Sequence, residues 1–430
     1  MPAMPATRVV PETLKIRLAL GLALAASALA LLTAPAQAAM PGAPTPPAVL
    51  TFTTMDVGSP GNPSVGIVPF TDAIYKNCAE APEPKGPRAP SCMEVGGVKY
   101  KYGIGELEVT VAQWVAFLNT VDPLGRNRYD LWSENESGEE WPRFGQIDYT
   151  EAAVSGRHYS LAAPEWGDKP YGFANFLRAA RFANSLDNGK VLSRQRGSVA
   201  GFPTVTYRVR LSRNTETGMY DMEKRAPVRT SASGFVIPSQ NEWIKAAYYD
   251  PSGGGTYSYW EYPTNPGAFS EENTERPAEA TLNPRTGDVT NGGSGPVAIY
   301  HEPGAEPAPA WCPSNQTKAA CTITNPLHLP PKAYKKGFVG SLGTVGQAGT
   351  RSPWGTLDQG GNAVEWTDTI TKPPFGAKGH RVWRRLHGGI SNAPVYQLWL
   401  SAVGLQPQDN AFFTRTYPWL GLRIGVIGQP

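Results

Sequence analysis

The sequence predicts a loop-rich α+β domain of short helices and short antiparallel strands, and three observations carry that prediction. First, 46 glycines and 42 prolines among 430 residues punctuate the chain too often for long helices. Second, only 17% of residues are charged while 12 are Trp and 18 are Tyr, a balance that fits a compact core under irregular connections better than a helical bundle. Third, helical periodicity is confined to short stretches, and β-type alternation to a few brief segments.

The elements follow in order. Val49-Leu50-Thr51-Phe52 alternates and is rich in β-favouring side chains, so a first strand is expected there. A helix begins at Thr110, where Thr110 and Gln113 form a capping box and Val111, Trp114, Val115 and Leu118 recur on one face. A second helix runs from Phe176 to Leu186, with Phe176, Ala179, Ala180 and Ala183 on one side and Gly189 as its expected C-cap. Thr204 to Leu211 alternates as a strand, and Phe235-Val236-Ile237 precedes a third helix that starts at Ser239 with Glu242 completing its capping box. Residues 256–353 are rich in Gly, Pro and Asn without a sustained period. A loop region of that length inside a domain is usually functional or clipped in place. No internal repeat stands out.

The N-terminus reads as an export signal: Arg8, Lys15 and Arg17, an apolar run from Leu18 to Leu32, then Ala36-Gln37-Ala38. Residues 1–38 are therefore expected to be a signal peptide, 39–48 a Pro-rich linker and 49–430 the domain, with insertions near 78–92 and 301–335. The localisation expected is periplasmic or extracellular. Nothing downstream approaches the roughly 18 uninterrupted apolar residues of a membrane span, so no stable membrane anchor is expected. The first cysteine is Cys78, far from the cut, which argues against a lipid-modified N-terminus. Cleavage removes Arg8, Glu12, Lys15 and Arg17 and takes the whole-chain charge of +3 to about +1, which makes no case for nucleic acid or an anionic membrane as partner. Cys78 with Cys92 and Cys312 with Cys321 are two close pairs in an exported chain and read as local disulfides, worth roughly 2–4 kcal/mol each when unstrained. A zinc site is the rival reading, with no CxxC or His spacing behind it.

The best local site is the loop from Asp358 to Glu365. Its two carboxylates flank Gly360-Gly361 and can converge with backbone carbonyls on a hard cation. The other reading is an ordinary tight turn with Glu365 in a surface ion pair.

Several patterns, taken together and in order, resemble the formylglycine-generating-enzyme or sulfatase-modifying-factor family. They are Ile104-Gly105-Glu106-Leu107-Glu108-Val109-Thr110 into Gln113-Trp114 and Phe117-Leu118-Asn119; Arg181-Phe182-Ala183-Asn184; Ile237-Pro238-Ser239-Gln240-Asn241-Glu242-Trp243 with Ala246-Ala247; Gly361-Asn362-Ala363-Val364-Glu365-Trp366; Gly388-Gly389; and Gly421-Leu422-Arg423. Thr215 to Tyr220 also looks like a hairpin frequent in bacterial members. The resemblance spans the chain from about Val49 and implies a C-type-lectin-like α+β fold with bound calcium. It maps one calcium onto Asp358 and Glu365 through side chains and onto Gly361 and Ala363 through carbonyls. A second family calcium site would need an amide ligand where Ile299 stands, so a second ion is not expected.

The founding activity of the family oxidises a sulfatase cysteine to formylglycine with oxygen and Cu(I) held by two cysteines that closely follow the Gly-Gly pair. Ala393 and Leu398 occupy those positions, and no cysteine occurs after Cys321. Thiolates are what select Cu(I), so copper is not expected and the catalytic residues are unknown. Iron stays open: His380 and His387 flank Gly388-Gly389's approach seven residues apart, while His158, His301 and His328 complete the histidine set. Two solvent-facing loop histidines are the plainer reading of that pair. Arg384, Arg385 and Arg423, with Trp383, Trp399, Tyr417 and Trp419, offer a surface for a protein, peptide or glycan ligand, unless the aromatics fill the core.

The function expected from all this is an exported member of that family without classical formylglycine-generating activity, acting as a calcium-stabilised binding or accessory module. The alternative is an exported oxidase of the same family, maturing a protein or small molecule by a route that does not use cysteine.

Overall fold

The computed structural model describes residues 46–68, 92–137, 145–253, 258–268, 276–283, 285–293, 295–301, 342–373, 381–409 and 418–428. The expected signal peptide, most of the expected linker, nearly all of both expected insertions, Cys78, Cys312, Cys321, His328, His380 and Tyr417 lie outside the described residues. Cys92 is not free, and any pairing partner lies outside them too.

Capping decides where the helices begin. Helix α1 spans Val111–Val121, and Thr110 accepts from the Gln113 backbone while the Gln113 side chain accepts from the Thr110 N–H. Helix α3 spans Gln240–Tyr248 with the same reciprocal pair between Ser239 and Glu242. Each box satisfies two N–H groups that a helix start otherwise leaves bare. Helix α2 spans Phe176–Asp187 and is capped by Asn175, whose side chain accepts from the Arg178 N–H. The chain leaves this helix at Asn188, one residue before the expected Gly189.

The strands form a mixed α+β arrangement of short, mainly antiparallel pieces. One sheet has six strands, in the order Lys190–Val199, Phe202–Arg210, Val49–Val57, Tyr102–Gly105, Gly425–Ile427, Gly234–Val236, all antiparallel. The hairpin between its first two strands turns on Ala200 and Gly201, both with positive φ, the geometry that matches strand twist in a two-residue turn. A second sheet has four strands, Gly404–Pro407, Trp383–His387, Val364–Thr371 and Leu420–Gly421, the last parallel to its neighbour. No helix among the described residues is long and apolar enough to cross a membrane.

Residues from Pro44 onward group into one compact unit. The core lies between helices and sheets: Trp114, Trp166, Trp243 and Trp366 are all fully buried. Trp114 stacks on Tyr171 at 4.0 Å and 10°, and Trp366 donates its indole N–H to the Ala174 carbonyl at 3.0 Å. The connection that matters most runs from Leu420–Gly421 in the four-stranded sheet to Gly425–Ile427 in the six-stranded one. It carries Arg423 into the interior between them, where Arg423 is fully buried.

Candidate functional site

The loop from Asp358 to Glu365 folds over the end of the segment Glu106-Leu107-Glu108. Gly361 adopts a positive φ of 90°, and a Cβ there would fall 2.1 Å from the Ile299 carbonyl oxygen, so no other residue fits the position. Asn362, also at positive φ, donates to Glu108 Oε2 at 3.0 Å and accepts from the Gly343 N–H at 2.9 Å. The Ala363 N–H donates to Glu108 Oε1 at 3.1 Å. Glu108, which the sequence reading did not single out, is thus the clasp on the loop's inner side. Its only sequence signal is a position inside the Ile104–Thr110 pattern.

Glu365 faces Arg423. The guanidinium Nη2 donates to Oε1 at 2.8 Å, and Nε reaches both carboxylate oxygens at 3.1 Å. Trp243 on α3 donates its indole N–H to Oε2 at 2.7 Å. The remaining guanidinium donors go to the carbonyls of Gly105 (2.9 Å), Glu106 (2.8 Å) and Leu357 (2.8 Å). Every donor of a five-donor fork is therefore spent on an oxygen of this loop or its neighbour. Burial opposes the charge on Arg423, but Glu365, followed by Glu108 and Asp358, holds its pKa above the ordinary arginine value.

Asp358 is buried at φ 58°, an uncommon conformation for a residue with a side chain. Its Oδ2 accepts from the Gly346 N–H, and its Oδ1 has no hydrogen-bond partner among the described residues. Burial raises its pKa to about 6; the Gly346 bond and Arg423 pull the other way. Glu108 is pushed well above the usual carboxylate range by burial, then by the negative charges of Asp358 and Glu365. Three buried carboxylates thus share one guanidinium.

Calcium was expected on Asp358, Gly361, Ala363 and Glu365, and the side-chain oxygens of that set differ in their surroundings. Asp358 keeps a free oxygen, but both oxygens of Glu365 are filled by Arg423 and Trp243. Glu365 does form the ion pair of the other reading, and that pair is buried rather than on the surface, with side-chain exposures of 0% and 1%. Replacing Trp243 with Phe removes one charge-assisted bond and is expected to cost about 2 kcal/mol, read from the urea unfolding midpoint. An unchanged midpoint would show that the indole bond contributes nothing.

Ala393 and Leu398, the positions that the sequence resemblance aligns with the family's cysteines, are apolar and interior. Ala393 is buried and its carbonyl accepts from the His301 N–H at 2.9 Å. Leu398 is fully buried in a cluster with Tyr262, Ala298, Tyr300 and Val395. Ile299, at the second expected calcium position, packs its side chain with Leu282, Val297 and Ala348.

The three histidines among the described residues have separate partners. His158 faces the Thr150 carbonyl at 3.0 Å, and His301 lies 3.3 Å from Glu279 Oε1. His387, read as a solvent-facing loop residue or a metal ligand, is neither exposed nor in a loop. It pairs with Glu365 across the four-stranded sheet, stacks on Trp243 at 5.2 Å, and has its pKa pushed down to about 3 by burial and by the Arg385 charge. Among the described residues no group of three His, Cys, Asp or Glu side chains is arranged to hold a metal ion.

The Arg and aromatic surface is also corrected. Arg384 is interior: its guanidinium lies 3.5 Å from the Phe176 ring centroid, donates to the Pro227 carbonyl at 2.5 Å and to Gln408 at 3.1 Å, and burial lowers its pKa to about 10. With Arg423 buried as well, two of the three expected surface cations serve the core.

No family model matches the sequence, and no curated protein matches it. Among solved structures the chain is similar to Treponema denticola variable protein 1, at 15% identity over 89% of this chain and 100% of that one, with a TM-score of 0.40. It is also similar to CarF (14% identity, 89% and 99% covered, TM-score 0.36) and to PvdO from Pseudomonas aeruginosa (11% identity, 90% and 100% covered, TM-score 0.37).

Proposed function

We propose that this chain is an exported, non-catalytic member of the sulfatase-modifying-factor family that works as a binding or accessory module. The observation that carries the reading is the pair Ala393 and Leu398: where the family's copper chemistry needs two thiolates, the chain has two buried apolar side chains, and no cysteine follows Cys321. A methyl and an isobutyl group can neither ligate Cu(I) nor cycle through a disulfide. The ordered sequence patterns around Ile104–Thr110, Ser239–Trp243, Gly361–Trp366 and Gly421–Arg423 support the family reading.

We also propose that Arg423, and not a bound calcium ion, balances the loop charge. It carries the positive charge into a nest of three carbonyls and a carboxylate, the oxygen-rich surroundings a hard cation would seek.

Co-expression with a type I sulfatase tests the first proposal. The sulfatase cysteine is expected to remain unmodified, with no aldehyde seen by mass spectrometry of the tryptic peptide. Formylglycine in that peptide would overturn the proposal, as would oxygen consumption by purified protein carrying stoichiometric iron or copper.

A further inference from the structure

Away from this loop, a half-open cavity of about 540 Å³ lies beside the six-stranded sheet, in the volume range of small-molecule sites. Its wall on one side is the exposed edge strand Lys190–Val199, which contributes Arg194 and Arg196. Lys101 and Asp56 stand on the other side, Trp354 supplies half-buried aromatic surface, and Tyr207 lies buried beneath Arg194. Strand register explains the grouping. Arg194 pairs with Tyr207, Tyr207 with Phe52, and Asp56 with Gly103, so these positions share one face of the sheet. Gly103 leaves the floor open: a Cβ there would sit 3.1 Å from Thr54 Oγ1.

Two cations of this cavity, Arg196 and Lys101, differ from several of the protein's other cationic side chains. Arg178, Arg181, Arg229, Arg351 and Arg423 are each committed to a carboxylate. Arg194 lies with its guanidinium 5.9 Å from the Tyr207 ring centroid and has a partner of its own. The side chains of Arg196 and Lys101 make no hydrogen bond or ion pair among the described residues. Three cations against one carboxylate, around a concave space with an aromatic wall, form a site of positive potential focused by low-dielectric surroundings.

We propose that this cavity binds a small organic oxyanion that carries a ring, the ring lying against Trp354 and the carboxylate, sulfate or phosphate group meeting Arg196 and Lys101, with Arg194 adding positive charge beside them. A guanidinium takes such a group bidentately, and an aromatic face takes a ring without sequence-like specificity. The proposal does not depend on the family reading, since none of these residues belongs to the patterns that carry it, apart from strand positions next to them.

Isothermal titration of the full chain with phenyl phosphate, phenyl sulfate and benzoate tests it, with benzyl alcohol as the neutral control. At least one anion is expected to bind saturably at one site, at least tenfold tighter than benzyl alcohol, and to weaken as salt rises. The relative affinities of the three anions assign the head group. The double variant Arg194→Ala with Arg196→Ala is expected to weaken binding at least tenfold, and Lys101→Ala, on a different element, at least threefold. Arg208→Ala, an exposed change on the same hairpin that does not line the cavity, is expected to change it less than twofold. No saturable binding by any of the anions overturns the proposal. So does equal loss in Arg208→Ala, or full affinity in both the double variant and Lys101→Ala.

Discussion

Replacing Arg423 with alanine is expected to destabilise the fold by about 3–5 kcal/mol at pH 7, the cost of leaving a buried carboxylate without its partner. The loss falls on more than one group. Glu365 is left with only the Trp243 N–H, three carbonyls lose their donors, and Glu108 and Asp358 lose the positive charge that offsets their repulsion. Arg423→Lys is expected to recover little, because three donors on one nitrogen cannot reach acceptors spread around a planar fork of five. Combining Arg423→Met with Glu365→Gln removes both charges and is expected to be milder than Arg423→Ala alone. Urea unfolding of the four proteins measures this directly. A single variant within 1 kcal/mol of the parent, on the order of an exposed ion pair, would mean that the pair does not hold the two sheets together.

Stability is expected to fall as pH rises from about 4.5 to 7.5. Asp358 is raised to about 6 and Glu136, in a buried pair with Arg178, to about 7, both chiefly by burial, while Glu108 lies well above the carboxylate range. A carboxyl whose folded pKa exceeds its unfolded value keeps its proton longer in the folded state. Between those values the folded protein binds more protons, so each unit of pH subtracts stability. For Asp358 alone the change between its ordinary value and about 6 corresponds to about 3 kcal/mol, complete by pH 7.5. His387, pushed down to about 3, raises stability with pH up to its ordinary value and offsets one of these three carboxyls, while Glu242, Glu216, Asp250 and Asp288 are held below their ordinary values and also act with the opposite sign. The contribution of those four carboxylates is present above about pH 4.5 and is lost on further acidification. Maximum stability is therefore expected near pH 4.5–5. Asp358→Asn removes a charge from the acidic cluster and suits the positive φ, so it is expected to stabilise by about 1–3 kcal/mol at pH 7.5 and flatten the slope. Thermal melts across pH 4–8 check both. A slope of the opposite sign in the parent protein would contradict the charge arrangement.

What could be read in the sequence was what is local. The capping boxes at Thr110 and Ser239 are three-residue devices, and both helices start where those devices put them. The Asn175 cap passed unnoticed because no acidic or amide partner sits three residues on. Phe202–Arg210 alternates because one face is buried, so its period was visible. Its partner Lys190–Val199 is exposed along most of its length, and a strand with no buried face leaves no hydrophobic period to find. The candidate loop divides in the same way. Asp358 and Glu365 are close in sequence and were paired as a site. Arg423 and Glu108 reach them only through the packing of two sheets. Without that packing a guanidinium 58 residues from Glu365 cannot be told from a surface charge.

The most direct test of the central claim, that Arg423 rather than calcium closes this loop, is the melting temperature of the parent chain and of Asp358→Asn at pH 7.5, each in excess calcium and in excess chelator. Arg423 as the resident cation predicts that neither protein responds to calcium and that the variant melts at or above the parent. A parent stabilised by calcium, with a variant that melts lower and has lost the response, would contradict it.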